Sequence, residues 1–293
     1  MAPLDRLILG ANAFEGVSYT SRTQSLHYLE HFGKPENIVA VLAAARNLGV
    51  RTFMPSNTEN VMAALEKFEG APEMILLPVI PNVYEYARDA SEKGVLGAVL
   101  EKAKRIDMYQ KIRFGLRALG KIKSVISKDV LDLLGELIDF ELASFRRYKL
   151  GAVLLHGQVT DLALSSHNKG ILELFINLIR DQYGLEPMLA THNFGTLLPQ
   201  LIEWGIKIPV MAPLNKKGFM MKPSQEACEN LVRQAGYPII AKKVLAGGRL
   251  TPEEAFGYLA DKKFISVVVG IGSVPEAYHT LSVAKTALKI TAG

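Results

Sequence analysis

Eight short apolar or β-rich runs recur along the chain, each separated from the next by a stretch with helical patterning. They are RLILGAN (6–12), VRTFMPSN (50–57), EMILLPVIPN (73–82), GAVLLHGQ (151–158), PMLATHNF (187–194), IPVMAPLN (208–215), YPIIAKKV (237–244) and FISVVVGIGS (264–273). Between them lie amphipathic stretches such as PENIVAVLAAARNLG and TLLPQLIEWG, the second closing on Gly205 as a helix C-cap does. Strand and helix alternating in this way mark β/α units around a parallel sheet. Eight such units predict an α/β fold, a (β/α)8 TIM barrel spanning 1–293 as a single domain. A length of 293 residues suits either one barrel or two smaller domains. The number of strands makes the choice.

Each run passes into Asn, His, Lys, Gly or Ser at its C-terminal end. In a barrel that rim carries the ligand site, so polar side chains are needed there. His156, at the end of the fourth run, is therefore expected at the mouth, above Leu154 and Ala152 in one inward column by the two-residue alternation of a strand. The same alternation, applied to Lys242 and Lys243 in IIAKKVL, predicts one lysine in the mouth and the other toward the helices.

The regular spacing fails once, where almost 70 residues (83–150) separate the third and fourth runs. A crossover helix needs far fewer, so a helical insertion on the barrel rim is expected over 83–132. Residues 102–128 hold nine Lys or Arg against Asp107, a net of +8, and the rest of the chain sums to −3 although the whole carries +5. The basic charge is thus local. It suits a solvated helix face, an anionic partner or a contact between subunits of a homo-oligomer, while Tyr109 and Phe114 are too few for base stacking and make nucleic acid a poor fit. Cys228 is the single cysteine and the first residues lack a basic segment followed by a long apolar core, which fits a cytoplasmic protein. No run reaches the roughly 18 apolar residues that span a bilayer, so no membrane partner is expected. Zinc-type spacings, P-loops, GxGxxG and GxSxG are absent from the sequence.

Several of these segments resemble one family. AVLLHGQ resembles the fourth strand of the aldo-keto reductases, which ends on a catalytic histidine, and ATHNFGTLLPQLIEWG resembles their fifth strand and helix. VLAGGRLTPEEAF is similar to their Pro-Leu-x-x-Gly segment after strand seven, and VVVGIGSVPEAYHTLSVA to their final strand and cofactor-phosphate loop. The likeness covers most of 187–285. It implies a TIM barrel that uses NADP(H) without a Rossmann domain, and hence an NAD(P)H-dependent oxidoreductase acting on a small carbonyl or alcohol.

Of the family's Asp, Tyr, Lys and His, the resemblance carries over His156. Met54 stands in place of the Asp, Glu59 in place of the Tyr, and Pro78 and Val79 where the Lys belongs. Carbonyl reduction by hydride needs a proton donor at the developing alkoxide, a role open to His156 or to Tyr84 just beyond the third strand. On the cofactor side the resemblance assigns Asn193 to the nicotinamide amide and Asn215 to an assisting position, while Lys242 replaces the stacking aromatic. Gly247, Gly248, Gly270, Gly272 and Ser273 form loops suited to an anion, with Arg249 adding a planar charge.

Lys242 and Lys243 also carry a different expectation. Desolvation and neighbouring positive charge lower an amine's pKa and make it a Schiff-base nucleophile or general base. With His156, Glu15 and His192 near it, such a lysine implies a non-redox lyase or isomerase for a phosphorylated carbonyl compound. A catalytically inactive barrel whose basic insertion binds a partner is the third reading.

Overall fold

A computed structural model of the chain describes residues 4–82 and 130–290, residue 235 excepted. The expected insertion, Tyr84 and the basic segment 102–128 lie outside the described residues, apart from the last three positions of 83–132.

All eight expected strands form: β1 (Leu7–Gly10), β2 (Thr52–Met54), β3 in two segments (Ile75–Leu76 and Val79–Ile80), β4 (Ala152–Leu155), β5 (Glu186–Ala190), β6 (Val210–Pro213), β7 (Ile239–Lys242) and β8 (Ser266–Gly270). Every adjacent pair is parallel. The first segment of β3 ends one side of the sheet and its second segment ends the other. Leu76 pairs with Phe53 of β2 and bridges to Leu150 before β4, while Val79 and Ile80 pair with Leu154 and Leu155. One strand therefore holds both neighbours, and the sheet closes into a barrel. Pro78, between the segments, has no N–H to donate, but its carbonyl still accepts from the Leu154 N–H at 2.8 Å.

Both faces of these strands are buried, which is why they read as continuous apolar runs. Ile8, Met54, Leu77, Val79, Ala152, Leu154, Met188, Ala190, Met211, Ile240 and Val268 fill the barrel interior. The alternate positions, among them Leu7, Leu9, Phe53, Val153, Leu155, Leu189, Val267 and Val269, pack outward against the helices in a second, larger core. Ala152 and Leu154 thus lie in the inward column below His156, as the alternation requires.

The enclosing helices are α1 (Arg22–Phe32), α2 (Pro35–Asn47), α3 (Glu59–Lys67), α4 (Val130–Ala143), α5 (Gly157–Ser165), α6 (Lys169–Asn177), α7 (Phe194–Glu203), α8 (Gln225–Gln234), α9 (Pro252–Leu259) and α10 (Val274–Ala287). Local chemistry sets their ends. Thr251 and Glu254 form a capping box at α9, with Pro252 in the first turn. α7 stops at Gly205 (φ +70), where the Ile206 N–H returns to the Leu201 carbonyl at 2.9 Å and satisfies an otherwise orphaned acceptor.

The N-terminal end of the barrel is tied by short polar contacts. Asp5 accepts from the Thr52 hydroxyl at 2.7 Å, the Ser266 hydroxyl donates to the Asp5 carbonyl at 2.7 Å, and Arg6 lies over the Phe264 ring at 4.0 Å. This end is closed by packing, and the opening is at the other.

Candidate active site

A cleft of about 1360 Å³ opens at the C-terminal ends of the strands. Its floor is the top of the interior stack, including Met54, Ala190, Met211 and Val268, and its polar residues come from the loops that follow.

Two histidines and two lysines converge at the floor. His156 ends β4 and caps α5; its Nδ1 accepts from the Gln158 N–H at 3.3 Å, which leaves the proton of the neutral ring on Nε2. His192 follows β5. Its Nε2 lies 3.3 Å from Nζ of the buried Lys242 at the end of β7. The opposite side of His192 faces Asp161 on α5. That carboxylate accepts from the Thr191 hydroxyl at 2.5 Å and the His192 N–H at 3.2 Å, with His192 Nδ1 at 3.8 Å from Asp161 Oδ2. Asp161 therefore anchors the start of the β5 loop and sets the plane of the ring that meets Lys242.

Burial and mutual repulsion suppress positive charge throughout the group. Burial, then Lys242, draws His156 down to about 4. Burial, then Lys242, Lys243, His156 and Lys222, draws His192 down to about 3. Burial lowers Lys242 to about 8 against the opposing pull of Asp161, and burial followed by Lys242 lowers Lys243 to about 7. At neutral pH both imidazoles are thus uncharged, and an appreciable fraction of each amine carries a free lone pair.

The alternation expected for the two lysines ends with the strand. Lys243 has φ +57, in the left-handed region, so its side chain does not turn to the helix side; both lysines line the cleft. Nζ of Lys243 sits 3.4 Å from the centroid of the Tyr19 ring, which the loop after β1 brings over the mouth.

Among the other residues singled out in the sequence, Glu59, Gly247, Gly248, Gly270 and Gly272 line the cleft with His156 and Lys242. Glu59 begins α3 and is exposed. Asn193, Asn215, Arg249 and Ser273 are not in the lining. Both ends of the Asn215 amide close its own loop, Nδ2 donating to the Phe219 carbonyl at 2.9 Å and Oδ1 accepting the Phe219 N–H at 2.8 Å. Asn193 is at the N-terminus of α7 and makes no side-chain cap bond. Arg249 donates to the Ala246 carbonyl at 2.9 Å and stacks 4.3 Å from the Phe219 ring. Ser273 caps α10 by accepting the Glu276 N–H at 3.2 Å. Lys216 and Lys217 are exposed and also outside the lining.

Tyr19, Tyr28 and Glu276 are polar lining residues that were not anticipated. Tyr19 and Tyr28 come from the segment between β1 and α2, a stretch without a motif. Glu276 had a legible signal, the Ser-x-x-Glu spacing from Ser273 that marks a helix start. Its carboxylate accepts the Gly272 N–H at 2.8 Å, beside the Tyr28 ring, and burial raises its pKa. Asp161, outside the lining, was visible as the acid five residues beyond His156, but nothing in the sequence ties it to His192.

No protein-family model matches the sequence, and no curated protein matches it. Among solved structures, PA4992 and a second structure, both assigned to the aldo-keto reductases and both from Pseudomonas aeruginosa, are similar to this chain at 16% and 15% identity. Each has a TM-score of 0.57 and covers 97% of this chain and 91% of that one. MGS-M4, an aldo-keto reductase from a Medee basin deep-sea metagenome library, is similar at 12% identity and a TM-score of 0.50, covering 99% and 92%. The chain has the fold of the aldo-keto reductases.

Proposed function

We propose that the protein is an enzyme acting on a small carbonyl compound at the barrel mouth, with Lys242 as amine nucleophile and His156 as the donor that polarises the carbonyl. One observation carries this reading: a buried lysine whose Nζ meets a histidine ring nitrogen at 3.3 Å on the floor of an open cleft. Among the described residues no ion pair includes Lys242.

The chemistry follows from the protonation states. An amine titrating near 8 is about one-tenth unprotonated at pH 7, against well under one-thousandth for an ordinary lysine at 10.5. Its lone pair adds to the carbonyl carbon while the C=O π electrons move to oxygen, which accepts a hydrogen bond from His156 Nε2–H and takes up one of the two amine protons. Transfer of the second amine proton lets that oxygen leave as water and leaves a C=N bond. Protonated on nitrogen, the imine withdraws electrons from a neighbouring C–H or C–C bond, as a lyase or isomerase requires. His192 Nε2 accepts a hydrogen bond from the Lys242 ammonium at 3.3 Å and so orients Nζ on the floor of the cleft. Reductive trapping tests the assignment: with borohydride and a panel of small aldehydes and ketones, an adduct on Lys242 is expected by peptide mass spectrometry. No adduct with any member of the panel, or adducts spread over exposed lysines, would reject it.

NADP(H)-dependent carbonyl reduction is the second reading, favoured by the shared fold and by the wall of small residues at Gly10, Gly270 and Gly272. Two residues do not fit a dinucleotide in the family's pose. Lys242 offers an amine where a flat apolar face is needed, and the Glu276 carboxylate already takes the Gly272 N–H that a phosphate would use. A rise in unfolding temperature with NADPH, which ligand binding to the native state requires, would favour this reading over the first.

A further inference from the structure

Lys243 is held in a conformation that its own backbone opposes. A left-handed φ of +57 is strained for a long side chain and persists where the surroundings impose it. Its consequence is to turn a second amine into the same cleft as Lys242. Among the described residues neither lysine belongs to an ion pair: Lys242 meets His192, and Lys243 meets the face of the Tyr19 ring. Two adjacent, partly desolvated cations facing one cleft repel each other, and a negative group entering between them would relieve that repulsion.

The rest of the cleft gives such a group a direction. On the β8 side the Gly272 N–H is committed to Glu276, whose carboxylate repels a second anion. On the β7 side Gly247 and Gly248, both with positive φ, continue the wall from Lys243, and a Cβ at either would lie 2.7–2.8 Å from Tyr19 or Thr20. Arg249, close to that wall, is already engaged by the Ala246 carbonyl and the Phe219 ring. The cleft is thus cationic at the end of β7 and acidic toward β8.

We propose that Lys243 is the recognition site for an oxyanion, a carboxylate or a phosphate monoester, carried by the substrate beside the carbonyl that Lys242 engages. This rests on the carbonyl chemistry proposed above and narrows its substrate to short anionic carbonyl compounds. Adjacent lysines require the anionic group and the carbonyl to be close neighbours in the molecule. Lys243 is then a specificity residue, and Lys242 the reacting one.

Calorimetric titration of the protein with inorganic phosphate and, separately, with acetate tests the recognition site. One of the two anions binds the unaltered protein, and which one identifies the phosphate or the carboxylate source. Lys243→Gln, and Lys243→Asn as a residue that tolerates a left-handed backbone, weaken that binding about tenfold or more, the loss expected for one charge-assisted contact. Lys217→Gln, at an exposed position outside the cleft, does not. Absence of binding by either anion, or Lys243 variants that bind like the unaltered protein, would overturn the proposal.

Borohydride trapping with butanal, which is uncharged, separates this proposal from the one it builds on. Butanal adducts on Lys242 that persist in Lys243→Gln while anion binding is lost uphold both. If anions bind through Lys243 but Lys242 is never trapped, the recognition site stands and the imine chemistry falls. If Lys242 is trapped equally well by butanal and by glyoxylate in the unaltered protein, the anionic preference is refuted.

Discussion

Replacing Lys242 by methionine, a side chain of similar length without the amine, should stabilise the protein while ending its reactivity. Lys242 is 8% exposed and titrates near 8, where an amine in water titrates at 10.5. At about 1.36 kcal/mol per pH unit, its ammonium form at pH 7 is about 3 kcal/mol less favourable in the fold than in the unfolded chain. The sign depends on pH. Below about 8 the amine is protonated in both states, so the penalty is fully present. Between about 8 and 10.5 the unfolded chain binds the extra proton, the penalty shrinks as pH rises, and above 10.5 it is gone. Urea unfolding of Lys242→Met and the unaltered protein across pH 6–11 should therefore show the variant more stable by about 2–3 kcal/mol near neutrality, the lower figure allowing for the lost His192 contact. The two curves should converge toward pH 10.5. A variant that is less stable at pH 7, or a difference that does not change with pH, would mean that the amine is hydrated or paired, and the argument for its reactivity would fail with it. A residue that costs stability at the centre of a cleft is what an active site requires.

Among the described residues Asp161 is the carboxylate that holds Lys242 up, so Asp161→Asn should move the midpoint of the pH-dependent trapping rate below about 8 and disorder His192, measurable as the rate of adduct formation against pH. His156 and His192 titrate near 4 and 3 in the fold. As pH falls below about 6.5 the unfolded state takes up protons that the folded state does not, and stability should decline through the window from 6.5 to about 3–4. The double variant His156→Gln/His192→Gln should flatten that acid limb in urea titrations. Thr251→Ala removes half of the capping box of α9 and should cost about 1 kcal/mol in urea unfolding, with trapping at Lys242 unchanged.

The periodic signals in the chain are local, and they determined the architecture. Eight apolar runs became eight strands because a strand buried on both faces must be apolar throughout, and the Gly205 stop and the Thr251 start are written in residues that contact their own neighbours. The alternation that sets Ala152 and Leu154 inside the barrel is equally local and put His156 at its mouth. Which of the polar strand ends would meet was decided by the closed sheet. Asp161, His192 and Lys242 are brought together across β4, β5 and β7 by the order of strands around the barrel. Asn215 and Arg249, polar residues at the same rim, are instead engaged within their own loops. The two lysines make the limit plain. Period two assigned them to opposite faces, and a left-handed residue at the end of β7 brought both into one cleft, because alternation is a property of extended backbone and ends where that backbone does.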